Sequence, residues 1–474
     1  MKLETIRLEN FRCYQDLEIT LHENMTVLVA DNGQGKTAIL DAIRIALWSF
    51  VSQFDLAKTF SGSASTITID DVRIVKFHEQ MARQLPTSIT ATGRYDGGKL
   101  TWERYRDSEA ERSKTKDDDG AKRLKINAKK LQEQVRDLAA PKKTLPVFGY
   151  YGTGRLWNEK RFMDTNKSTT EEKNSGIRTF AYRDCLDPAS SFKQFQDWFA
   201  SGYKKILEYK IRQLEDGATV IDVPSDLSLP IKVVQDVVDE VLKPVEWGKL
   251  RYSEKYGKSL VLEDSKEITI KINKLSDGIK NMVAMTADIA YRCVLLNGHL
   301  EDQAAKRSPG IVLIDEIDMH LHPKWQKTVV ESLCKSFPEI QFVVTTHSPQ
   351  VLSTVQAESI RIISNTFDDD VVAGHVVSTA RPAQSQTRGV ASADVMAEIQ
   401  CVDPVPDIEE TRWVNRYVEL IDQGLHDGNE GKDLEGKIIS HFGKNHPKWL
   451  ECKRLIRFEE MKLKLRNRLN KDNA

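Results

Sequence analysis

The stretch Met25–Thr37, MTVLVADNGQGKT, decides how this chain folds. Its first six residues form a short apolar run that is typical of a buried strand. Gly33 and Gly35 follow, and glycine permits sharp backbone turns that other residues resist. Apolar side chains then recur at helical spacing at Ile39, Leu40, Ile43, Ala46, Leu47 and Phe50. The stretch therefore predicts a strand, a glycine-rich loop and a helix that starts near Lys36.

A glycine-rich loop between a strand and a helix predicts a phosphate-binding P-loop. Its backbone N–H groups would point at phosphate oxygens, helped by the positive end of the helix dipole. Lys36 would reach the β- and γ-phosphates of ATP, and Thr37 would coordinate Mg²⁺. Ala30 stands where the motif usually has its first glycine. The other candidate nucleotide-binding residues are Asn32, Gly33, Gln34 and Gly35.

A second apolar run, Ile311–Ile314, ends in two acidic residues. Four apolar residues in a row favour a buried parallel strand, so the acids would lie at its carboxyl end. Asp315 would hold Mg²⁺ through the water shell of the ion, and Glu316 would orient and deprotonate the attacking water. The alternative is a strand that simply ends in acidic loop residues.

A third apolar run, 341–344, precedes Thr345, Thr346 and His347. A histidine just past the end of a strand could donate a hydrogen bond to the γ-phosphate. A structural histidine is the alternative for His347.

The segment Leu275–Lys280, LSDGIK, resembles the LSGGQ signature of ABC-type ATPases, with Asp277 in place of a glycine. The order of P-loop, signature, acidic strand and histidine is the order in that family. The resemblance implies that Ser276 and Gly278 complete the nucleotide site of a second subunit. The functional unit would then be a homodimer at minimum, with ATP and Mg²⁺ as cofactors.

Other segments narrow the resemblance. The start, MKLETIRLENFRCYQDLEI, resembles RecF/SMC-like ATPases, which implies that Arg12 lies near the nucleotide base or the α-phosphate; a structural role for Arg12 is equally open. YYGTGRLW, LSDGIKNM, DEIDMHLHPKWQ and TTHSP are similar to the ATPase subunit of Septu-type anti-phage systems. The OLD-family nucleases share the DEID and THSP forms. No Gln can be assigned to the Q-loop position.

The motifs predict an α/β fold, a split P-loop ABC-type ATPase head with a mixed sheet. We expect the head in residues 1–60 and 270–380, an insertion with strands and a helical arm in 61–269, and a helical region in 381–474. Within the insertion, the charged segment 106–130 is expected to be mobile or an exposed helix. Polar and apolar residues alternate over 87–105, and this pattern predicts a hairpin.

The composition excludes several classes of protein. The 474 residues include 69 Lys and Arg against 70 Asp and Glu, a formal charge of −1. No apolar run reaches about 18 residues and no signal peptide pattern opens the chain, so we expect a cytoplasmic protein with no membrane span. The six cysteines are scattered and fit reduced thiols.

Near-neutral charge means that any contact with DNA or RNA must come from local basic patches. One candidate is a basic helix face near the C-terminus, for which solvated surface is the alternative. Its members are Lys453, Arg454, Arg457, Lys462, Lys464, Arg466, Arg468 and Lys471. Asp318, His320 and His322 could mark a metal site, or a turn at the dimer interface. Arg155 could face nucleotide or DNA, or form a structural salt bridge.

Three functions remain open from the sequence. The Septu resemblance implies a defence ATPase that senses a trigger and regulates a separate HNH-type nuclease subunit. The RecF resemblance implies a DNA-repair clamp. A nucleotide-gated scaffold with little hydrolysis is the third. An OLD-type nuclease is disfavoured, because only about 125 residues follow His347 and the acidic triplet 368–370 is more simply a turn.

Overall fold

The computed structural model describes residues 1–57, 65–77, 80–137, 139–155, 176–188, 192–367 and 376–472. It divides into two compact units, Met1–Gln400 and Cys401–Ala474. The predicted turn at 368–370 and most of a predicted loop at 160–178 lie outside the described residues, as does the side chain of Arg155. Within the described residues, no helix is both long and apolar enough to cross a membrane.

The first unit contains both strands and helices, and the described elements of the second unit are helices. In chain order the strands are β1 (Lys2–Phe11), β2 (Tyr14–Thr20), β3 (Met25–Val29), β4 (Ile74–Phe77), β5 (Gln80–Arg83), β6 (Thr87–Tyr95), β7 (Gly98–Arg106), β8 (Lys116–Asp117), β9 (Val147–Tyr151), β10 (Trp247–Ser253), β11 (Ser259–Asp264), β12 (Thr269–Lys271), β13 (Gly310–Ile314), β14 (Ile340–Thr345), β15 (Ile360–Phe367) and β16 (Val376–Pro382). The α-helices are α1 (Lys36–Val51), α2 (Asp119–Arg136), α3 (Lys193–Glu215), α4 (Ser225–Leu242), α5 (Asp277–Asn297), α6 (Ala304–Arg307), α7 (Pro323–Gln326), α8 (Val329–Ser336), α9 (Pro349–Leu352), α10 (Ser392–Gln400), α11 (Glu409–Asp422), α12 (Asn429–Phe442) and α13 (Pro447–Asp472).

A six-stranded mixed sheet forms the centre of the first unit, in the order β16-β15-β3-β14-β13-β9. Only β16 runs antiparallel to its neighbour. Every residue of β3, β9, β13 and β14 is buried, as expected for parallel strands that are covered on both faces. The predicted α/β fold with a mixed sheet is confirmed.

A second, antiparallel sheet has the order β2-β1-β6-β7-β8. Its predicted hairpin is confirmed: Tyr95 pairs with Gly98, and Asp96 and Gly97 between them both have positive φ. Two positive φ values are typical of the tight turn that matches the twist of paired strands.

Helix α1 lies between the two sheets. It contacts β14 on one side and β6 and β7 on the other. It is apolar around almost its whole circumference, and all but two of its residues are buried. Trp102 on β7 donates its indole N–H to the carbonyl of Ala46 at 3.0 Å, which fixes the helix against the antiparallel sheet. The helix begins at Lys36, as predicted, so the packing of α1 sets the position of the P-loop.

The charged segment 106–130 follows one of its two expectations, since most of it is a helix whose charged face is exposed. Most of it belongs to β8 and α2. Asp118 caps α2 by accepting a hydrogen bond from the Ala121 N–H at 2.7 Å. Ala121, Leu124 and Ala128 form a buried face, while Lys122, Arg123 and Lys129 are exposed. The segment is amphipathic, and its charges masked a helical apolar period in the sequence.

Strand β9 falls inside the range 61–269 that the sequence predicts as an insertion. It pairs in parallel with β13 and extends the central sheet. Gly310 permits this pairing, because a β-carbon there would lie 2.1 Å from the carbonyl oxygen of Val147. The rest of the range includes the hairpin β6-β7, the helices α3 and α4 and the small sheet β10-β11-β12. The division into head, insertion and tail therefore remains a prediction for the chain outside the central sheet.

The second unit contains α11, α12 and α13 around a small apolar core. Tyr417, Leu420, Ile438 and Trp449 are all buried there. The predicted helical character of this region is confirmed.

Candidate nucleotide site

The carboxyl ends of β3, β14 and β13 bring the predicted motifs together. The three strands run parallel, with β14 between the other two. The loops at 30–35, 315–322 and 346–348 therefore leave the same edge of the sheet. Ligands of open α/β sheets bind at this edge.

The P-loop has the backbone that its glycines predict. Gly33 and Gly35 have φ values of +80° and +89°. A β-carbon on Gly35 would lie 2.5 Å from the hydroxyl of Tyr14 and the thiol of Cys13. Tyr14 also donates a hydrogen bond to the carbonyl of Gln34 at 2.6 Å. Only glycine fits at position 35, and the buried Tyr14 holds the loop from below.

Strand β15 holds the loop from the other side. The backbone N–H of Asn365 donates to the side-chain oxygen of Gln34 at 3.1 Å. The side-chain nitrogen of Asn365 donates to the backbone carbonyl of Gln34 at 3.4 Å. Gln34 is therefore tied to the sheet through its own side chain. Asn32 and Gly33, at the tip of the loop, are exposed. Tyr14 and Asn365 were missed in the sequence because nothing in their local pattern links them to the loop.

The side chain of Lys36 folds back under the loop. Its ammonium donates to the carbonyls of Ala30 at 2.7 Å and Asp31 at 3.2 Å. Burial lowers the pKa of Lys36, and the negative charges of Asp315, Asp31 and Glu316 partly oppose this shift. A charged ammonium with two carbonyl acceptors in place of a counter-ion suits the recognition of an anionic ligand.

Asp315 joins three elements of the site. Thr37 on α1 donates to Oδ2 of Asp315 at 2.8 Å, and Thr345 on β14 donates to Oδ1 at 2.6 Å. The Thr345 hydroxyl also accepts the backbone N–H of Glu316 at 2.7 Å. One buried hydroxyl thus orients the carboxylate of Asp315 and the backbone of the next acidic residue. Thr345 has no motif signal of its own, because threonine is common in strands.

Glu316 has a left-handed backbone, with φ of +50°. Such a conformation costs energy for a residue with a β-carbon, and it occurs mainly where neighbouring bonds enforce it. The bond from its own N–H to Thr345, and that from the Ile317 N–H to the Thr345 carbonyl at 3.0 Å, supply this constraint. Thr345 therefore holds the backbone of Glu316 in this conformation at the end of β13.

His347 lies two residues beyond β14 and is half-buried. Its carbonyl accepts a hydrogen bond from the side chain of Gln400 at 2.8 Å. The backbone of the loop after β14 is therefore held by α10. This places His347 at the same sheet edge as Asp315, and its bond to phosphate remains a prediction.

The signature segment lies at the N-terminus of α5. Ser276 is the N-cap residue, it is exposed, and its side chain makes no capping hydrogen bond. A β-carbon on Gly278 would lie 2.3 Å from the carbonyl oxygen of His320, so glycine lets α5 pack on the turn after β13. Asp277 pairs with Lys280 at 2.8 Å, and this hydrogen bond lowers the pKa of the Asp277 carboxyl. In the described part of the chain, neither Ser276 nor Gly278 bonds to the P-loop.

The turn after β13 uses its polar groups for local structure. Asp318 accepts a hydrogen bond from the Thr346 hydroxyl, and the ring nitrogen of His322 accepts the Lys324 N–H at 3.2 Å. Among the residues that the structure describes, no group of three or more His, Cys, Asp and Glu side chains could hold a metal ion. The turn interpretation of Asp318, His320 and His322 fits this geometry better than the metal site.

Arg12 is held by two carboxylates. Its guanidinium donates to Asp71 at 2.9 Å and to Asp41 at 2.7 Å. Asp41, on α1, also pairs with Arg44 at 3.1 Å and accepts the hydroxyl of Tyr150 at 3.2 Å. The structure thus gives Arg12 the structural role that the sequence left open, and nucleotide contact by Arg12 remains a prediction.

The fold and the site define a P-loop ATPase. Residues 5–281 match the family described as an AAA domain, and the chain belongs to that family. This match covers more than half of the chain. The chain is therefore an ATPase of the AAA/ABC type.

The similarity to known relatives extends beyond the family match. The "Retron Vc95 probable ATPase" of Vibrio cholerae is 25% identical over 487 residues, which cover 93% of this chain and 88% of that protein. The "Septu protein PtuA" of Bacillus mycoides is 46% identical over 79 residues, 17% of this chain and 10% of that protein. An SMC head bound to the C-winged helix domain of ScpA aligns with a TM-score of 0.44 and 16% identity, covering 80% of this chain and 98% of that chain.

We expect Thr345→Val to lower kcat for ATP roughly 10- to 100-fold, because small displacements of catalytic groups have effects of this size. Valine keeps the volume and loses the hydroxyl that joins Asp315 to Glu316. The KM for ATP should change little, since the P-loop is unaltered. Steady-state phosphate release measures both constants. Thr345→Ser retains the hydroxyl and is the matched control; equal losses in the two variants would contradict a positioning role.

Proposed function

We propose that the chain hydrolyses ATP with Mg²⁺ held by Thr37 and Asp315. The hydrogen bond between these two side chains carries this proposal, because it brings a hydroxyl and a carboxylate, both hard oxygen ligands, to one point beside the P-loop. Mg²⁺ at this point would neutralise charge on the phosphate oxygens. Lys36 would exchange its two carbonyl acceptors for phosphate oxygens.

Glu316 is the proposed general base. It directly follows the proposed metal ligand Asp315, and its left-handed backbone is held by hydrogen bonds to Thr345. A carboxylate that accepts the proton of an attacking water contributes about 10²- to 10⁴-fold to rate. His347, on the neighbouring loop, would donate a hydrogen bond to the γ-phosphate.

Ser276 and Gly278 are proposed to act in trans, so that two chains enclose two nucleotides. Support comes from the exposed Ser276 at the N-terminus of a 21-residue helix, where free N–H groups and the helix dipole attract an anion. The contact of Gly278 with His320 aligns this helix end with the turn after the catalytic strand. ATP would thus close the dimer and hydrolysis would release it.

We further propose that the ATPase belongs to an anti-phage defence system and regulates a separate HNH-type nuclease. The match to a retron ATPase along most of both chains supports this assignment. The shorter match to a Septu protein, which has a higher identity over 79 residues, agrees with the resemblance of the motifs. A RecF-like repair clamp would require loading on DNA, and the sequence offers only local basic patches for it.

For hydrolysis, Glu316→Gln should lower kcat about 10²-fold or more while ATP still binds. Glutamine keeps the shape of the side chain and cannot accept the proton. Phosphate release measures turnover, and equilibrium binding of ATP with Mg²⁺ is measured in parallel. Glu331→Gln on α8, a single acidic change outside the motifs, is the control. Tight binding without turnover by the unaltered protein would favour the scaffold and refute the enzyme mechanism.

For the trans-acting signature, neither Ser276→Arg nor Lys36→Ala should hydrolyse ATP alone, but a mixture of the two should regain activity. A mixed dimer contains one site with an intact P-loop and an intact signature, so up to about a quarter of full activity is expected by random pairing of subunits. Phosphate release from mixtures at varying ratios measures the recovery. A flat, inactive profile at every ratio would contradict the shared site.

For the defence role, phage should form fewer plaques on cells that carry the gene for this chain and its neighbouring genes. Lys36→Ala in the same gene cluster should restore plating, because the buried lysine is needed for nucleotide binding. The control is Lys129→Ala, an exposed lysine on α2. Sensitivity to DNA damage, instead of phage, in the Lys36→Ala strain would favour the repair clamp.

A further inference from the structure

A cavity of 760 Å³ lies away from the nucleotide site, between the C-terminal ends of α1, α2 and α5. Asp55 and Leu56 follow α1, Val135 and Arg136 end α2, and Leu295 belongs to the last turn of α5. Its volume falls in the range that holds small-molecule ligands and cofactors. None of the motifs discussed above lines this cavity.

Gln132 provides a buried polar group at the cavity. It lines the wall and is only 6% exposed. Among the described residues, no group donates a hydrogen bond to its side-chain oxygen. An unpaired buried acceptor is costly, and such groups are rare in folded proteins. If the amide turns towards the cavity, a ligand that brings a donor to the side-chain oxygen of Gln132 would remove this cost.

The rim of the cavity is cationic. Arg136, Lys142, Lys143 and Arg178 outnumber the two carboxylates of the lining. One of those carboxylates, Asp55, already pairs with Arg136. Arg178 donates to the carbonyls of Leu296 and Lys143, which fixes its position at the end of α5. The exposed Lys142 and Lys143 therefore extend a positive surface at the mouth.

The pKa of His299 reflects the positive charge around the cavity. It lines the cavity, and its ring nitrogen lies 3.3 Å from the hydroxyl of Thr144. Burial, together with the charges of Arg178 and Lys142, lowers the pKa of His299. The ring is thus neutral near neutral pH, and a bound anion would stabilise its charged form.

We propose that this cavity binds a nucleotide, with its phosphate at Lys142 and Lys143 and the edge of its base at Gln132. A glutamine amide offers both a donor and an acceptor, the pair that base edges recognise. The apolar part of the lining, which includes Leu56, Val135 and Leu295, suits the face of a base. The site is separate from the ATP site and would be regulatory.

Two helices connect the cavity to the ATPase motifs. Helix α1 starts at Lys36 and ends beside the cavity, about 24 Å away at the rise of an α-helix. Helix α5 starts after Ser276 and reaches the cavity at Leu295. A ligand that shifts either helix end would move the P-loop or the signature. This regulatory link rests on the proposed function, whereas binding itself does not.

Binding is tested with AMP, GMP, CMP and UMP by calorimetry on the full chain carrying Lys36→Ala, which removes the P-loop contact. At least one should bind with Kd below about 1 mM, and more tightly than inorganic phosphate. Lys142→Glu with Lys143→Glu should weaken binding about tenfold or more, the size expected for two charged contacts. Lys129→Glu with Lys130→Glu, an exposed pair outside the lining, should change Kd less than about twofold.

Gln132→Leu should weaken nucleotide binding and leave phosphate binding unchanged, because the substitution removes only the contact with the base. The site is refuted if no monophosphate binds, if both lysine pairs weaken binding equally, or if phosphate alone binds as tightly as the nucleotides. The regulatory link is tested separately with the unaltered protein. The best ligand should change phosphate release at least about fivefold, and Lys142→Glu with Lys143→Glu should abolish that response. A response that survives in this variant indicates competition at the P-loop and refutes regulation from the cavity.

Discussion

The carboxylate of Asp315 is the group on which the rest of the site depends. It is 3% exposed, and a buried charge is tolerated only when hydrogen bonds or a counter-ion satisfy it. Two of its hydrogen-bond donors, Thr37 and Thr345, come from two different elements. Satisfying one buried charge therefore fixes α1 and β14 relative to β13. The same bonds set the P-loop, the proposed metal ligand and the proposed general base in one arrangement.

The sequence predicted the elements of this arrangement but not the bonds between them. β3, α1, β13 and β14 followed from apolar runs and helical spacing, because burial on both faces leaves a strong compositional trace. Thr345, Tyr14 and Asn365 left no such trace in the sequence. Each is an ordinary residue of a strand, and its role depends on a partner as much as 331 residues away. Contacts of this kind follow from strand order in the sheet, which local pattern does not determine.

The central sheet also shows why linear boundaries mislead in a split domain. β9 lies more than 100 residues from its partner β13, yet pairs with it along its whole length. The carbonyl of Tyr151, at the end of β9, accepts the N–H of Asp315 at 2.8 Å. Residues between the P-loop and the signature thus support β13 and Asp315 directly. The charged α2 behaves similarly, since its apolar face packs on α1 while its charges dominate its composition.

The P-loop and the signature segment, the two halves of the proposed nucleotide site, differ in how many of their polar groups are satisfied within one chain. On the P-loop side, Gln34 is bonded to β15 and Asp315 is bonded to Thr345 of β14, so the loop and the acidic end of β13 are held in place before a ligand binds. On the signature side, Ser276 is exposed and its side chain makes no capping hydrogen bond. The close packing of Gly278 against His320 nevertheless fixes the start of α5. A rigid but uncapped helix end has free N–H donors that an anion from outside the chain can satisfy. The asymmetry between a satisfied half and an unsatisfied half agrees with the proposal that the site is shared between two subunits.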